Sequence, residues 1–410
     1  MNIPHGSYDV VVIGAGPSGA VSSSLLAEYG YRVLVLEKEH FPRFSIGESL
    51  LPQSMEFLER AGMLKDVVEV GFQFKNGAAF TQASKYDYFD FREKFSDGWG
   101  TTYQVQRNQF DKVLADCAEK RGVEIYYGQT VTAVRQRIDQ VDVTAFAEDG
   151  KSYTVSARFV LDASGFGRVL PRLLSLEKSS TLASRISLFT HIEDHISVSG
   201  FDRNKILITV HPDNKEIWYW LIPFSNGRAS VGVVLPRAAY NANADKNEEL
   251  LKRYISEGCM LSDVLENAVF DTPVGCIDGY SCDVESLYGD RFALLGNAGE
   301  FLDPVFSSGV TIALKSAVLA ADVLHRELQG FCPDWETEYA LPLKQGVNTF
   351  RAFVEGWYDG RLQDVIFAEE KSVEIKRMIS SILAGYAWDT SNPFVREPER
   401  LTTLAELCRQ

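Results

Sequence analysis

The chain of 410 residues is 45% hydrophobic and 24% charged, with 31 glycines and 14 prolines, the balance of a folded protein with an ample core and not of a fibrous or disordered one. Its 41 basic residues stand against 56 acidic ones, a net charge of −15 that repels polyanions and argues against nucleic acid and anionic membrane surfaces as partners. Six scattered cysteines (Cys117, Cys259, Cys276, Cys282, Cys332, Cys408) form no C-x-x-C pair and no cluster with histidine at metal spacing, so neither a metal site nor a disulfide framework is expected. The amino-terminal MNIPHGSYDVVVIG lacks a basic segment followed by a long apolar stretch and a cleavage site, and no apolar run approaches about 20 residues. These features predict a cytoplasmic protein without a membrane span.

In chain order, Tyr8–Ile13 reads as a strand buried on both faces, followed by a glycine turn and a helix from Pro17 to about Tyr29. A second apolar strand, Arg32–Leu36, ends at Glu37 and completes a βαβ unit. Arg107 opens a helical stretch, Asn108–Lys120. Alternating stretches at Glu124–Tyr127, Val131–Gln136, Val141–Ala147 and Tyr153–Val160 predict antiparallel strands, and Phe159–Ala163 runs into a turn at Ser164–Gly165. Strands continue through Ile186–His191, Lys205–Val210, Glu216–Pro223 and Ala229–Leu235, the pattern of a second, mostly antiparallel sheet. After the buried strand Phe292–Leu295, a glycine-rich loop leads at Ser308 into a helix ending near Leu328. Beyond Pro333 the chain is helical and aromatic to about Tyr386, and the last twenty residues read as irregular.

Gly14-x-Gly16-x-x-Gly19 directly follows the first strand and opens the first helix. The first glycine permits a tight turn, the second lets the backbone approach a pyrophosphate at the helix amino terminus, and the third allows close helix–strand packing. Glu37 ends the second strand about 20 residues on, where a carboxylate accepts a ribose hydroxyl and disfavours a 2′-phosphate. Gly14, Ala15, Gly16, Pro17, Ser18 and Gly19, with Glu37 and Lys38, are therefore the candidate nucleotide contacts. A second strand–loop–helix, Gly296-Asn297-Ala298-Gly299-Glu300 followed by Asp303-Pro304, offers more backbone N–H groups some 280 residues away. Two such contact points suit a long cofactor and favour FAD over NAD. Arg107 reads equally as a third contact or as a solvated arginine.

Trp218-Tyr219-Trp220-Leu221-Ile222-Pro223 fits a W-x-W-x-I-P signature, Gly47-Glu48-Ser49 a G-E-S turn, and Phe301 to Gly309 the pattern F-x-x-P-x-x-S-x-G. On periodicity alone the first is a buried strand and the last a helix cap. Together they make residues 7–330 resemble the flavin-dependent halogenases, within the FAD monooxygenases that include the aromatic hydroxylases. The resemblance implies that Gly47, Glu48, Ser49, Arg107, Val131, Asn297, Pro304, Gly309 and Val310 join the dinucleotide residues around FAD. It also implies a halide at the helix amino terminus by Ser308 and Gly309. Trp218, Trp220, Ile222 and Pro223, with Phe306, would form a partition on the substrate side. Lys75 falls where the family carries its essential lysine, although an isolated lysine is ordinarily solvated.

The implied activity uses FAD reduced by a separate flavin reductase, with dioxygen and chloride or bromide, to make hypohalous acid that Lys75 delivers to an electron-rich aromatic. Phe306 replaces a glutamate found in tryptophan halogenases, and the chain is shorter than those enzymes. The resemblance therefore favours a phenol or pyrrole, with an acyl carrier protein as a possible tether. An FAD-dependent hydroxylase or epoxidase and an inactive flavin-binding module are the alternatives. The expected fold is α/β: an FAD-binding Rossmann-like domain of aromatic-hydroxylase type (1–80, 105–170, 285–330), interleaved with a substrate-domain β-sheet (81–104, 171–284), and a helical segment (331–410). The aromatic stretch Tyr386 to Phe394 reads as packing or as a cover for the substrate pocket.

Overall fold

The structure is a computed structural model that describes residue 4 and residues 6–243, 246–370 and 372–409. Residues 1–3 and 5, part of the stretch read above for a leader, lie outside the described residues. The first sheet is built on parallel strands in the order Phe292–Leu294, Ser152–Asp162, Ser7–Ile13, Val33–Leu36 and Glu124–Tyr126. Val10 pairs with both Phe159 and Val33, so the central strand is flanked on each side. Its Val10, Val11 and Val12 are fully buried, which explains the unbroken apolar run there. Ser152–Asp162 is long enough to pair also with Val141–Ala147, which pairs in turn with Gln129–Gln136. The helices Pro17–Glu28, Arg107–Lys120 and Ser308–Leu328 pack together against this frame.

The second sheet runs Gly275–Asp278, Arg185–Glu193, Arg228–Pro236, Trp218–Pro223, Lys205–Val210, Gly77–Gln82, Lys85–Asp90. All neighbours are antiparallel except Lys205–Val210 with Gly77–Gln82. Strand alternation divides its side chains between two cores. Trp218, Trp220 and Ile222 join the large core shared with the first sheet, whereas Tyr219 and Leu221 pack in a separate cluster with Leu250, Leu251 and Tyr254 of the Asn247–Glu257 helix. The sheet is thus backed by that helix and turns its tryptophans toward the first sheet.

Three expectations are corrected. Glu124–Tyr126, read as an antiparallel strand, pairs parallel with Val33–Leu36, because a three-residue edge strand carries no local mark of its direction. The last twenty residues are helical, not irregular: Pro393–Arg396 and Arg400–Cys408 are helices, the second docked on Arg361–Ile366 through buried Leu401 and Ala405. Two apolar positions four apart suffice for one face of so short a helix. Ser308–Leu328 is, by length and composition, apolar enough to cross a bilayer, against the reading that no run approaches that length. Its place is the core, packed on Pro17–Glu28 and on the Leu341–Tyr358 helix. Unanticipated elements include the helices Gln53–Arg60 and Leu64–Glu69 and a small antiparallel pair, Gln73–Lys75 with Thr102–Gln104.

Candidate active site

A cavity of about 410 Å³ lies at the carboxyl ends of the first sheet's parallel strands, reached by Ile13, Leu36 and Ala163, the place where open α/β sheets bind ligands. Gly14 has φ +97°, and a Cβ there would stand 2.7 Å from the Ala163 carbonyl oxygen. A Cβ on Gly19 would overlap the Gly14 carbonyl oxygen at 2.0 Å, so the third glycine serves packing and does not line the cavity. Gly16, Pro17 and Ser18 do line it, at the amino end of Pro17–Glu28. Ala15 is turned away, its N–H donating to Glu37 Oε2 at 2.7 Å, while the Glu39 N–H donates to Glu37 Oε1 at 2.9 Å. Glu37 and Lys38 face the cavity beside them.

Arg107 is buried and part of the wall. Its Nε and Nη2 donate to the two oxygens of Asp111 at 2.7 and 2.9 Å, and its Nη1 donates to the Ile46 carbonyl, which pins the turn carrying Gly47, Glu48 and Ser49. Asp111 also holds Arg43, whose Nη2 is 3.3 Å away. Arg43 lines the cavity near Gly16, and its Nε, 3.9 Å from Glu37 Oε1, has no hydrogen-bond partner among the described residues. An unsatisfied guanidinium N–H beside a glycine loop and a helix amino terminus is a fit for a pyrophosphate. Sequence reasoning missed Arg43, Asp111 and His191. The i, i+4 spacing of Arg107 and Asp111 was a usable signal, whereas His191, 2.6 Å from the Glu48 carboxylate, had none.

The opposite end of the cavity is formed by Asn297, Pro304, Gly309 and Val310, with Gln129, Thr130 and Val131 along the side. Ser307, left-handed at φ +55°, caps the Ser308–Leu328 helix. Ser307 and Gly309 face the cavity, while Ser308 is buried beside them. Trp218, Trp220 and Ile222 close this end as a wall. The two indoles, 5.9 Å apart, are each tethered: Trp218 Nε1 donates to the Tyr358 hydroxyl at 2.9 Å and Trp220 Nε1 to Ser230 Oγ at 3.0 Å. Tyr358 and Tyr280 in turn donate to Asp303 Oδ2, at 2.8 and 3.1 Å. Burial raises the Asp303 carboxyl above its ordinary range. Pro223 does not line the wall; alternation sets it with Tyr219 and Leu221. Phe306 is also set back, edge-on to Trp357 at 6.0 Å.

Carboxylate at one end, N–H groups and arginine in the middle and stiff aromatic rings at the other end fit an adenosine, a pyrophosphate and a flexible link to a planar ring system, which is FAD. Lys75 stands apart from this cavity's lining. Only 1% of it is exposed; its Nζ donates to the Leu50 carbonyl at 2.8 Å and lies 5.5 Å from the centre of the Phe91 ring. Burial alone brings its pKa down to about 7, because a low-dielectric setting disfavours the ammonium. An amine that is half free base near neutrality is a nucleophile or a proton acceptor, which a solvated lysine is not.

Comparison with known proteins agrees with this geometry. Residues 7–334 match the family model described as FAD binding domain. The chain is 29% identical over 383 residues to the 1H-pyrrole-2-carbonyl-[peptidyl-carrier protein] chlorinase of Pseudomonas fluorescens, covering 86% of this chain and 83% of that protein. It is 30% identical over 383 residues to flavin-dependent halogenase gsfI of Penicillium aethiopicum, covering 86% and 71%. A crystal structure of a flavoprotein/dehydrogenase from Cytophaga hutchinsonii superposes with a TM-score of 0.95 at 42% identity, over 98% of this chain and 99% of that one. With the glycine cradle, the tethered tryptophan wall and the buried lysine already in view, these likenesses identify the chain as a member of the FAD-binding-domain family and, within it, of the flavin-dependent halogenases.

Proposed function

We propose that this halogenase transfers chlorine or bromine to a phenol or pyrrole, and that Lys75 makes the delivery. The observation that carries the reading is the Lys75 amine, buried with no carboxylate partner among the described residues and set apart from the cavity whose far end is walled by Trp218 and Trp220. FAD, when bound and reduced, supplies the redox chemistry that turns dioxygen, a halide and a proton into hypohalous acid and water. Gly16, Pro17 and Ser18 with Arg43 hold its pyrophosphate, Glu37 its ribose, and the Ser308 and Gly309 N–H groups the halide. The tethered indoles exclude bulk water and keep the organic substrate off the ring system. Lys75 then orients the oxidant toward an electron-rich carbon: a carbon–halogen bond forms as the halogen–oxygen bond breaks, and the ring proton leaves with the hydroxide as water.

The similarity to a halogenase that acts on a carrier-bound pyrrole supports a substrate tethered to an acyl or peptidyl carrier protein. Reduced FAD would come from a separate flavin reductase, and the exposed thiols of Cys259, Cys276 and Cys332 suit the cytoplasm. Mass spectrometry of carrier-bound pyrrole-2-carbonyl and of free phenols, incubated with a reductase, FAD and bromide, tests the reading. A mass gain of one bromine for hydrogen is expected, and a gain of one oxygen in every substrate would replace it with a hydroxylase.

A further inference from the structure

Each hypohalous acid formed consumes one proton: reduced FAD and the halide each give up an electron pair, and dioxygen ends as hypohalous acid and water. A site that excludes bulk water must still admit that proton. Among the described residues lining the FAD cavity, Glu37, Lys38 and Glu39 lie at the end assigned to the ribose. Arg43 and Arg107 line its middle, but a guanidinium gives up no proton at neutral pH. Glu48 belongs to the aromatic end. A Cβ on neighbouring Gly47 would stand 3.5 Å from Val310 Cγ2, at the amino end of Ser308–Leu328.

Glu48 is only 4% exposed, and its Oε1 lies 2.6 Å from His191 Nε2. A carboxylate oxygen only accepts, so Nε2 carries the hydrogen, and Nδ1, which has no partner among the described residues, is left as an acceptor. The His191 side chain is 18% exposed and lines a second cavity of about 150 Å³ with Phe44, Ser45, Asn108 and Glu48. That space is far above the roughly 10–15 Å³ that one water needs. Phe44, stacked on Phe189 and 5.7 Å from the His191 ring, is an exposed part of its wall. The two cavities thus meet at one carboxylate, which faces the FAD cavity on one side and an imidazole on the other.

We propose that His191 and Glu48 form a proton relay from the outer cavity into the aromatic end of the FAD cavity, with Glu48 as the acid. Nδ1 takes a proton from water in the outer cavity, and the Nε2 proton passes to Glu48 Oε1. The Glu48 carboxyl gives its proton to the dioxygen-derived oxygen that leaves as water. The neutral ring then regains its Nε2–H by exchange with water, since the carboxylate favours a donor facing it. One proton enters for each one consumed. His191 acts through Glu48, and the assignment rests on the hypohalous acid chemistry proposed above while standing apart from Lys75.

The test uses the full-length holoenzyme in single turnover with reduced FAD, oxygen, bromide and monochlorodimedone as a trap for hypobromite, so that no organic substrate enters the rate. Glu48→Gln, His191→Ala and His191→Gln should each slow hypobromite formation about a hundredfold, the lower end of what a placed general acid contributes. Imidazole in the buffer should restore His191→Ala, whose missing ring it replaces. It should leave His191→Gln slow, because that amide holds Glu48 without passing a proton. Fluorescence titration of the apoprotein should give both His191 variants the native affinity for FAD. In apoprotein carrying 15N-histidine, the His191 Nε2–H should resonate far downfield, as a short charge-assisted hydrogen bond does, and move upfield in Glu48→Gln. A native rate in His191→Gln, a His191→Ala that imidazole does not speed, or a loss of FAD affinity equal to the loss of rate overturns the relay. An Nε2–H signal that Glu48→Gln leaves in place overturns the pair itself. If the native chain brominates no monochlorodimedone, the hypohalous acid reading fails and the relay falls with it, a result distinct from the others.

Discussion

Lys75 is costly where it stands. Its amine has burial working against the charge and no carboxylate beside it, and its pKa falls to about 7. In the unfolded chain the same group titrates near 10.4. Between these values the unfolded state binds the extra proton, so stability must rise with pH across the window from about 7 to 10. Replacing Lys75 with Met should therefore stabilise the protein at pH 7 by about 3 kcal/mol, after allowing for the lost bond to the Leu50 carbonyl. The gain should vanish as the pH nears 10, as urea melts of the two proteins at pH 7 and 10 would show. Glu37 illustrates the opposite economy: one carboxylate holds the Ala15 and Glu39 N–H groups and faces the cavity, where we propose that it binds the ribose. Glu37→Ala should weaken FAD binding by about 1.5–3 kcal/mol, the worth of a hydrogen bond to a charged acceptor, read by fluorescence titration of the apoprotein. Glu37 was legible from its distance to the glycine motif. Lys75 was legible only through resemblance, since nothing in Phe74-Lys75-Asn76 tells a buried lysine from a solvated one.

Among the elements, the Trp218–Pro223 strand carries most of the partition, and its neighbour makes room for it. Gly232 lies directly across from Trp220, and a Cβ there would come within 2.4 Å of the indole. Gly232→Ala should push Trp220 off the cavity wall and break its bond to Ser230. The expected cost is about 1–3 kcal/mol, the range of overpacked cores, together with altered tryptophan fluorescence on FAD binding. The strand's position was readable from its aromatic run, and the helix Ser308–Leu328 came out of the sequence with its ends in place because Ser307 and Ser308 mark its amino end and apolar residues recur along it. The facing of Pro223 was missed because a signature read as a block ignores the period of two that sends alternate residues to opposite cores. The terminal helix Arg400–Cys408 was missed because its burial depends on Arg361–Ile366, a contact that no local pattern announces.

At the scale of the whole molecule, the two sheets are locked together from outside by the carboxy-terminal helices. The Tyr386 hydroxyl, 2.8 Å from Glu56 Oε1 and 3.0 Å from the Trp99 carbonyl oxygen, shares its one proton between them, which joins the tail, the Gln53–Arg60 helix and the loop that precedes Thr102. Trp388 packs edge-on to Phe350 and donates to the Pro342 carbonyl, so this aromatic stretch works as packing. Tyr386→Phe leaves the Glu56 carboxyl, already raised by burial, with one donor fewer beside Gln53. A loss of about 1–3 kcal/mol is expected, seen as earlier proteolysis of the tail. The interleaving of two sheets was foreseeable from strand patterns separated in sequence, whereas the register that sets Lys75 opposite Thr102 was not, since pairing partners of three-residue strands carry too little periodicity to be matched.

The division of labour between the FAD cavity and the buried amine is tested most directly by Lys75→Met supplied with reduced FAD, oxygen, bromide and a phenol, with product and escaped hypobromite measured in the same reaction. Brominated product should fall by about a hundredfold or more, while hypobromite caught by monochlorodimedone equals or exceeds that of the native chain. Product formed at the native rate by the variant would contradict the account.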